Sequence, residues 1–387
     1  MLTLSSMHTL KPISLYIHLP WCIKRCFYCD FNAHQQPQNL PIDAYQKRLM
    51  DDALEIAPII GNRPINTIFF GGGTPNLCPA SLFSNILDQL SKLFNIDGNI
   101  EITMEANPGA SHLLTLKDYR TAGINRLSIG TQSFNNHRLK LLGRIHQAND
   151  AIAMIEHSQQ LNFNSVNIDI MYGLPEQSIQ EAMDDLKLAL SLPIDHLSWY
   201  HLTIEPNTYF AKHPPKRAHE DDRIEMEDLG LAMLTEQQWN RYEISAYCKT
   251  PQHQCLHNLN YWNYGDFLSL GAGGHAKWRT QDGTILRNQR KRSPKAYLND
   301  VGSTVAKQYE LNQSDIIFEF MLNNLRLPKA ILYEHFEQQT SLPYQVLTNH
   351  VQKLVTMNLA QQLPHGFELT QQGWRLLDHC TEVFLPE

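Results

Sequence analysis

Ser14-Leu15-Tyr16-Ile17-His18-Leu19-Pro20-Trp21-Cys22-Ile23-Lys24-Arg25-Cys26-Phe27-Tyr28-Cys29 decides the reading of this chain. An apolar, β-rich run at Ser14–His18 predicts a strand. It feeds into three cysteines spaced C-x3-C-x2-C. A short loop of that spacing can wrap three thiolates around one face of an iron–sulfur cubane, because soft sulfur suits iron. Three ligands for four irons leave one iron open to an exchangeable ligand. Zinc would need a fourth ligand, and His18, Asp30 and His34 are near enough in sequence to supply one. Structural zinc sites usually combine two separated ligand pairs, however, and no second pair lies nearby. With Cys78, Cys248, Cys255 and Cys380 the cysteines number seven. An odd count with a crowded triplet points to metal ligation rather than a disulfide framework.

Outward from that loop, short apolar runs alternate with segments of helical periodicity. Candidate strands are Ser14–His18, Asn66–Phe70, Glu101–Glu105, Arg126–Gly130, Ser165–Ile170 and His196–Leu202. Candidate helices are Ile42–Ile60, Ala80–Leu93, Thr115–Ala122, Asn149–Leu161, Ser178–Ser191 and Glu220–Trp239. Six βα units demand a parallel sheet with helices outside. Polar or glycine residues follow several strands: Gly71-Gly72-Gly73-Thr74, Glu105-Ala106-Asn107-Pro108, Gly130-Thr131-Gln132, and Asp169 with Gly173. Groups at many C-terminal strand ends converge best in a barrel. The expected fold class is therefore α/β, a partial (β/α)6 barrel.

The chain has 387 residues, 42% hydrophobic and 18% charged, with a net charge of −7. That balance suits a large core and predicts no general affinity for polyanions. No apolar run approaches the roughly 20 residues that span a bilayer. No secretory signal is visible, so the expected location is the cytoplasm, where thiols stay reduced. The basic run Arg287, Arg290, Lys291, Arg292 and Lys295 reads as a solvated linker, or alternatively as a contact for a ligand's carboxylates. From about Val301 the pattern changes to helices at Ser314–Leu325, Lys329–Gln338 and Pro343–Met357. A hairpin follows at Leu359–Leu363 and Gly366–Thr370, giving a small winged-helix-like α+β domain. Its five basic and nine acidic residues argue against phosphate contacts and hence against nucleic acid. The expected division is a barrel at 1–240, a connecting region at 241–300, and a C-terminal domain at 301–387.

The cysteine triplet, with Tyr28 before its last member, resembles the signature of the radical SAM superfamily. The resemblance implies that Cys22, Cys26 and Cys29 hold a 4Fe-4S cluster and that S-adenosylmethionine chelates its open iron. It also implies an electron donor of flavodoxin or ferredoxin type. Gly71-Gly72-Gly73-Thr74-Pro75 resembles the family's glycine motif after the second strand, where missing β-carbons let the backbone approach the cofactor's amino group. Glu105, Gln132, Arg144 and Asp169 follow in the order seen in the oxygen-independent coproporphyrinogen III oxidase-like branch. Taken singly, each is more often structural. By resemblance they bind S-adenosylmethionine together with Tyr16, Tyr28, Gly72, Gly73 and Thr74. Carboxylates can hold ribose hydroxyls, and Arg144 can meet a carboxylate.

Two departures from the oxidases of that branch put decarboxylation in doubt, and no catalytic residue is assigned. Phe31 stands where they carry a fourth cysteine, and only 21 residues precede Cys22. His257-Asn258-Leu259-Asn260-Tyr261-Trp262 is similar to the HNxxYW motif of the branch's heme-chaperone members, and the same residues could equally be a loop histidine with two core aromatics. The resemblance implies heme on His257, supported by Asn258, Tyr261 and Trp262, with Cys255 a second candidate ligand. It implies a protein that binds heme and hands it to an acceptor protein. The alternatives are a coproporphyrinogen decarboxylase and a DNA-binding C-terminal module. Leu270-Gly271-Ala272-Gly273-Gly274 reads as a close-approach turn against the cofactor.

Overall fold

The β-rich runs become parallel strands because most of their residues are buried on both faces, as a sheet with helices outside and side chains within requires. The computed structural model describes residues 11–110 and 115–386. Its parallel strands are β1 (Ile13–Leu19), β2 (Ile65–Gly72), β3 (Ile96–Ala106), β4 (Arg126–Gln132), β5 (Ser165–Tyr172) and β6 (His196–His201). They pair in chain order. Each expected strand lies on one of them. The helix Ile42–Ile60 buries Tyr45, Leu49, Ala53, Ile56 and Ile60 on one stripe against the sheet. The helix Ile179–Ser191 starts at a capping box, with Ser178 and Glu181 satisfying each other's backbone N–H groups.

Six further strands extend the sheet: β7 (Asn240–Glu243), β8 (Ala246–Cys248), β9 (Phe267–Leu270), β10 (His275–Arg279), β11 (Ile285–Arg290) and β12 (Val305–Glu310). The order is β12-β11-β10-β9-β1-β2-β3-β4-β5-β6-β8-β7. β9 joins β1 in parallel, while β8 joins β6 antiparallel. β1 and β6 therefore never meet, and the barrel is partial and open, as expected.

Arg287, Arg290 and Lys291 of the basic run are paired within the fold, whereas Arg292 and Lys295 are exposed as in a solvated segment. Arg287 and Arg290 lie in β11, and Arg290 is fully buried, its Nε 2.8 Å from Asp52 Oδ1. Asp52 also accepts from Gly271 N–H (3.0 Å), Tyr297 O–H (2.9 Å) and Thr304 O–H (3.0 Å). Arg287 pairs with Glu319 at 2.7 Å and Lys291 with Asp300 at 3.1 Å. The cations looked free in sequence because two of these acids, Asp52 and Glu319, come from distant helices.

The C-terminal region forms the expected helices at Gln313–Asn324, Tyr333–Thr340 and Thr348–Thr356. Gly366–Leu369 pairs with Ala360–Leu363 as the expected hairpin and also with the short strand Ile331–Leu332. Its core gathers Phe320, Phe336, Leu354 and Phe367, and takes in Tyr264 and Ile285 from before residue 301. Arg326 meets Glu243 at 2.6 Å, tying this region to the sheet.

Candidate functional site

Every parallel strand ends at the same rim, and the cysteine loop leaves β1 there. Trp21–Cys22 pairs with His34–Gln35, closing the loop at its base. Arg25 Nη2 donates to the carbonyls of Cys29 (2.9 Å) and Phe31 (3.4 Å), which fixes its tip. Asn32 Nδ2 donates to Ala272 O (3.0 Å) and Arg292 O (2.9 Å), fastening it to the Gly271–Gly274 turn. That turn makes the close approach read from its glycines, here to the chain's own first strand and cysteine loop. Gly271 and Gly273 have φ of +96° and +81°, and β-carbons there would strike His18 O and the Asn32 side chain.

A cavity of about 520 Å³ opens behind the loop. Cys22, Cys26, Cys29 and Tyr28 line it, with Gly72, Gly73, Thr74, Glu105, Gln132, Arg144 and Asp169. The structure thus brings together every expected cluster and cofactor residue except Tyr16. Tyr16 faces a neighbouring cavity of about 630 Å³, which shares Gly72 and Glu105 with the first. Its hydroxyl sits 3.1 Å from His18 Nδ1.

The glycines after β2 also serve the packing of the chain. Gly72, at φ +117°, faces the His18 ring, and a β-carbon there would come within 2.6 Å of it. A β-carbon on Gly73 would strike the Trp21 carbonyl. Gly73 N–H donates to Leu19 O and Thr74 N–H to Trp21 O, each at 2.8 Å. The missing β-carbons therefore let the end of β2 press against the cysteine loop.

Arg144 is already committed. Its guanidinium donates to Asn107 Oδ1 and to Gly130 O (2.5 Å), and lies 3.5 Å from Cys26 Sγ. It braces the loop against the ends of β3 and β4. Gln132 sits on a bulge with φ +68°, which re-aims its side chain toward Tyr200 O–H at 3.2 Å. Asp169 accepts from Asn167 Nδ2 (2.8 Å) and Ser128 O–H (3.4 Å). Burial pushes its carboxyl up, against those hydrogen bonds and one from Ser198. Sequence reading missed Ser128, Asn167 and Tyr200, and read Asn107 only as part of the polar run after its strand. Their signal was the strand alternation, which puts Ser128 and Asn167 on the inward side with Asp169.

The three thiols fit a multi-iron group better than a single ion. Burial, then the neighbouring Cys29 and Cys26 thiols, push Cys22 up to about 11, and burial raises Cys29 as well. Ionisation there needs a soft cation to drive it. Among the described residues, no three His, Cys, Asp or Glu side chains converge on a point suited to one metal ion. His34 Nε2 is 3.3 Å from Asn32 Oδ1, and burial lowers His18 to about 4.

Glu105 lines both cavities and accepts Gly72 N–H at 3.0 Å. Burial pushes its carboxyl up to about 7; the Gly72 N–H pulls downward and the Asp169 charge adds to the rise. The folded protein thus holds this proton more tightly than the unfolded chain does. The associated stability is full below about pH 4.5 and is lost as pH rises to about 7. Glu105→Gln is expected to be more stable than wild type at pH 8 by about 2–3 kcal/mol, with no gain at pH 4.5. Urea unfolding at the two pH values measures this, and equal stability at pH 8 would refute it.

His257 lies elsewhere. It sits on the helix Leu256–Trp262, whose first N–H groups are held by Glu101: Leu256 N–H at 3.1 Å and His257 N–H at 3.0 Å. The ring is 1% exposed. Nδ1 is 2.8 Å from Thr67 Oγ1, and Nε2 is 2.8 Å from Tyr261 O–H. The His257 ring lies 5.0 Å from that of Phe69, which lines the first cavity, and 6.5 Å from that of Tyr16, which lines the second. Tyr261 faces the second cavity and Asn258 the first. Trp262 stacks under Arg326, 4.3 Å from its guanidinium. Cys255 is buried with its thiol pushed up to about 12, and lies 3.7 Å from Glu101 Oε1. Both ring nitrogens are engaged, by partners from β2 and from its own helix.

An open βα barrel, a three-cysteine loop on its rim, and a cavity lined by inward polar groups define the radical SAM class of proteins. Residues 16–189 match the family model of the Radical SAM superfamily, and residues 311–376 that of the HemN C-terminal domain. The fold is similar to coproporphyrinogen III oxidase (HemN) from Escherichia coli, with a TM-score of 0.82 at 23% identity over 97% of this chain and 91% of that one. The chain is 39% identical to the heme chaperone HemW of Haemophilus influenzae, over 98% of this chain and 100% of that protein. It is also 39% identical to the heme chaperone HemW of Escherichia coli, over 98% and 99%. The chain belongs to the HemW family of the radical SAM superfamily. Among the described residues, no helix is long and apolar enough to cross a membrane.

Proposed function

We propose that this protein is a cytoplasmic heme chaperone: it binds heme and passes it to an acceptor protein. Cys22, Cys26 and Cys29 would hold a 4Fe-4S cluster. Gly72–Thr74, Glu105, Gln132 and Asp169 would hold S-adenosylmethionine, with Tyr28 beside the cluster and Tyr16 approaching through the second cavity. When bound, the reduced cluster supplies an electron that can cleave the sulfonium. The chain's own part is to orient the cofactor and to screen it from water.

One observation carries the heme reading: the histidine of the HNxxYW motif is held neutral inside a chain that resembles heme chaperones over its whole length. Burial pushes His257 down to about 3, so the imidazole is in the form that ligates metals. Thr67 O–H donates to Ser14 Oγ at 2.7 Å, so Nδ1 donates to Thr67 and Nε2 accepts from Tyr261. The one lone pair that could bind iron is therefore covered by a hydroxyl. Thr67 would then orient the ligand from behind.

Heme titration tests this. Tyr261→Phe uncovers Nε2 and is expected to tighten heme binding by about fivefold, the worth of one hydrogen bond. His257→Ala is expected to weaken it at least about tenfold and to change the Soret band. His275 lines the second cavity and is exposed. If His275→Ala lost heme while His257→Ala kept it, the ligand assignment would move there.

Phe31, 60% exposed on the loop, supports a chaperone over a decarboxylase, since it replaces the fourth cysteine of the oxidases. Anaerobic assay with coproporphyrinogen III, reductant and S-adenosylmethionine is expected to yield no protoporphyrinogen. Turnover would reverse the choice.

A further inference from the structure

The thiols line the first cavity, and no cysteine lines the second, of about 630 Å³. Pockets of roughly 300–1,000 Å³ bury most of a cofactor-sized ligand. The second cavity forms where the inner face of the sheet runs on past the edge of the barrel. Tyr16 of β1 pairs with Ser269 of β9, and His275 of β10 with Gln289 of β11. Directly paired residues point to one face. Tyr16, Phe267, His275 and Gln289 all line the cavity, so the sheet is its floor. The cysteine loop adds Phe31 to its wall, and the helix Leu256–Trp262 adds Tyr261.

Two of its lining residues are unused by the fold. Phe31 is 60% exposed, and its ring packs on no other ring among the described residues. Arg292 is exposed, and no hydrogen bond or ion pair to its guanidinium is present among the described residues. Its neighbours in the basic run, Arg287, Arg290 and Lys291, are taken up by Glu319, Asp52 and Asp300. The acids on this cavity are Asp30, on the loop, and Glu105, which accepts from Gly72 N–H. Aromatic walls with an unpaired guanidinium at the edge suit a flat apolar ring that carries carboxylates.

Tyr261 joins this cavity to the HNxxYW histidine. Its ring packs edge-on against Phe267, 4.6 Å between centroids, and its hydroxyl covers His257 Nε2 at 2.8 Å. A ring seated here lies against the group that must yield before iron reaches that nitrogen. His275 opens on the same space. The seat therefore stands whichever of the two imidazoles ligates.

We propose that the second cavity seats the porphyrin ring of heme, with Arg292 holding a propionate at its mouth and Phe31 covering an edge of the ring. The inference rests on the reading that this chain binds heme, and it names where the macrocycle lies. The ring is then next to the S-adenosylmethionine cavity, across the shared Gly72 and Glu105, and not inside it.

The test is titration of the full-length protein with metal-free protoporphyrin IX, which takes iron ligation out of the measurement. Wild type is expected to bind it, and to bind its dimethyl ester at least about tenfold more weakly. Arg292→Glu is expected to weaken protoporphyrin at least about tenfold and the ester by no more than about twofold. Phe31→Ala is expected to weaken both about fivefold. Lys295→Glu, in the same basic run but off the cavity, is expected to bind as wild type. Saturating S-adenosylmethionine on reconstituted protein is expected to leave porphyrin affinity within about twofold, because the two cavities are separate. Circular dichroism and iron content, unchanged in every variant, exclude misfolding. Porphyrin binding that ignores Arg292→Glu and Phe31→Ala would overturn the seat, and so would mutual exclusion with S-adenosylmethionine. Wild type that takes up neither heme nor protoporphyrin would instead refute the heme reading, so the two failures are distinguishable.

Discussion

Cys26→Ala is expected to bring iron after anaerobic reconstitution from about four atoms per chain to near zero. The broad absorption near 400 nm and any binding of S-adenosylmethionine should go with it. The reason lies in how the thiols are held. They line one mouth of a single cavity, buried or half-buried, on a loop pinned by Arg25 and Asn32. Burial and mutual repulsion hold Cys22 up at about 11, and burial raises Cys29, so those two thiolates need the metal group to stabilise them. Two thiolates cannot balance a cluster whose other irons then lie open to solvent. Cys26 also faces Arg144 at 3.5 Å, so its loss leaves a buried guanidinium one acceptor short. Cys78→Ala and Cys380→Ala, at buried cysteines outside the cavity, should keep their iron. A Cys26→Ala protein with four irons and normal absorption would remove the cluster assignment.

The second large effect is on stability. Asp52→Asn or Arg290→Met is expected to destabilise the fold by about 3–5 kcal/mol, because either leaves an unpaired charge or an unmet donor set in a dry interior. Both side chains are fully buried and 2.8 Å apart. Asp52 additionally organises Gly271, Tyr297 and Thr304. The Gly271–Gly274 turn is the anchor of Asn32, so the same variants should loosen the cysteine loop and slow cluster reconstitution. Urea unfolding and calorimetry measure the first effect, and iron uptake the second. The double variant Asp52→Leu with Arg290→Met should recover part of the loss, since an apolar pair carries no desolvation cost. Single variants within about 1 kcal/mol of wild type would refute the argument.

Strands and helices were legible because their causes are local. A strand buried on both faces must be an apolar run, and a helix on a sheet must carry an apolar stripe. Ile42–Ile60 and Ala80–Leu93 are therefore readable to the residue. The polar residues after the strands were readable as a set, because parallel strands bring their ends to one rim. Their individual tasks were not. Spacing placed Arg144 near the site but not its commitment to Asn107, Gly130 and Cys26. Glycines after β2 announced a close approach but not whether a cofactor or the chain's own loop would come near.

The sequence by itself determined the alternation that makes an open βα barrel, the thiol triplet on its first loop, and the polar rim around it. Only the tertiary structure decided which lone pairs and charges are already used. Arg290 meets an acid 238 positions away, and His257 a threonine 190 positions away. A burial pattern repeats every two or four residues and is written along the chain. A hydrogen bond depends on where two distant segments come to rest, and no local spacing records that.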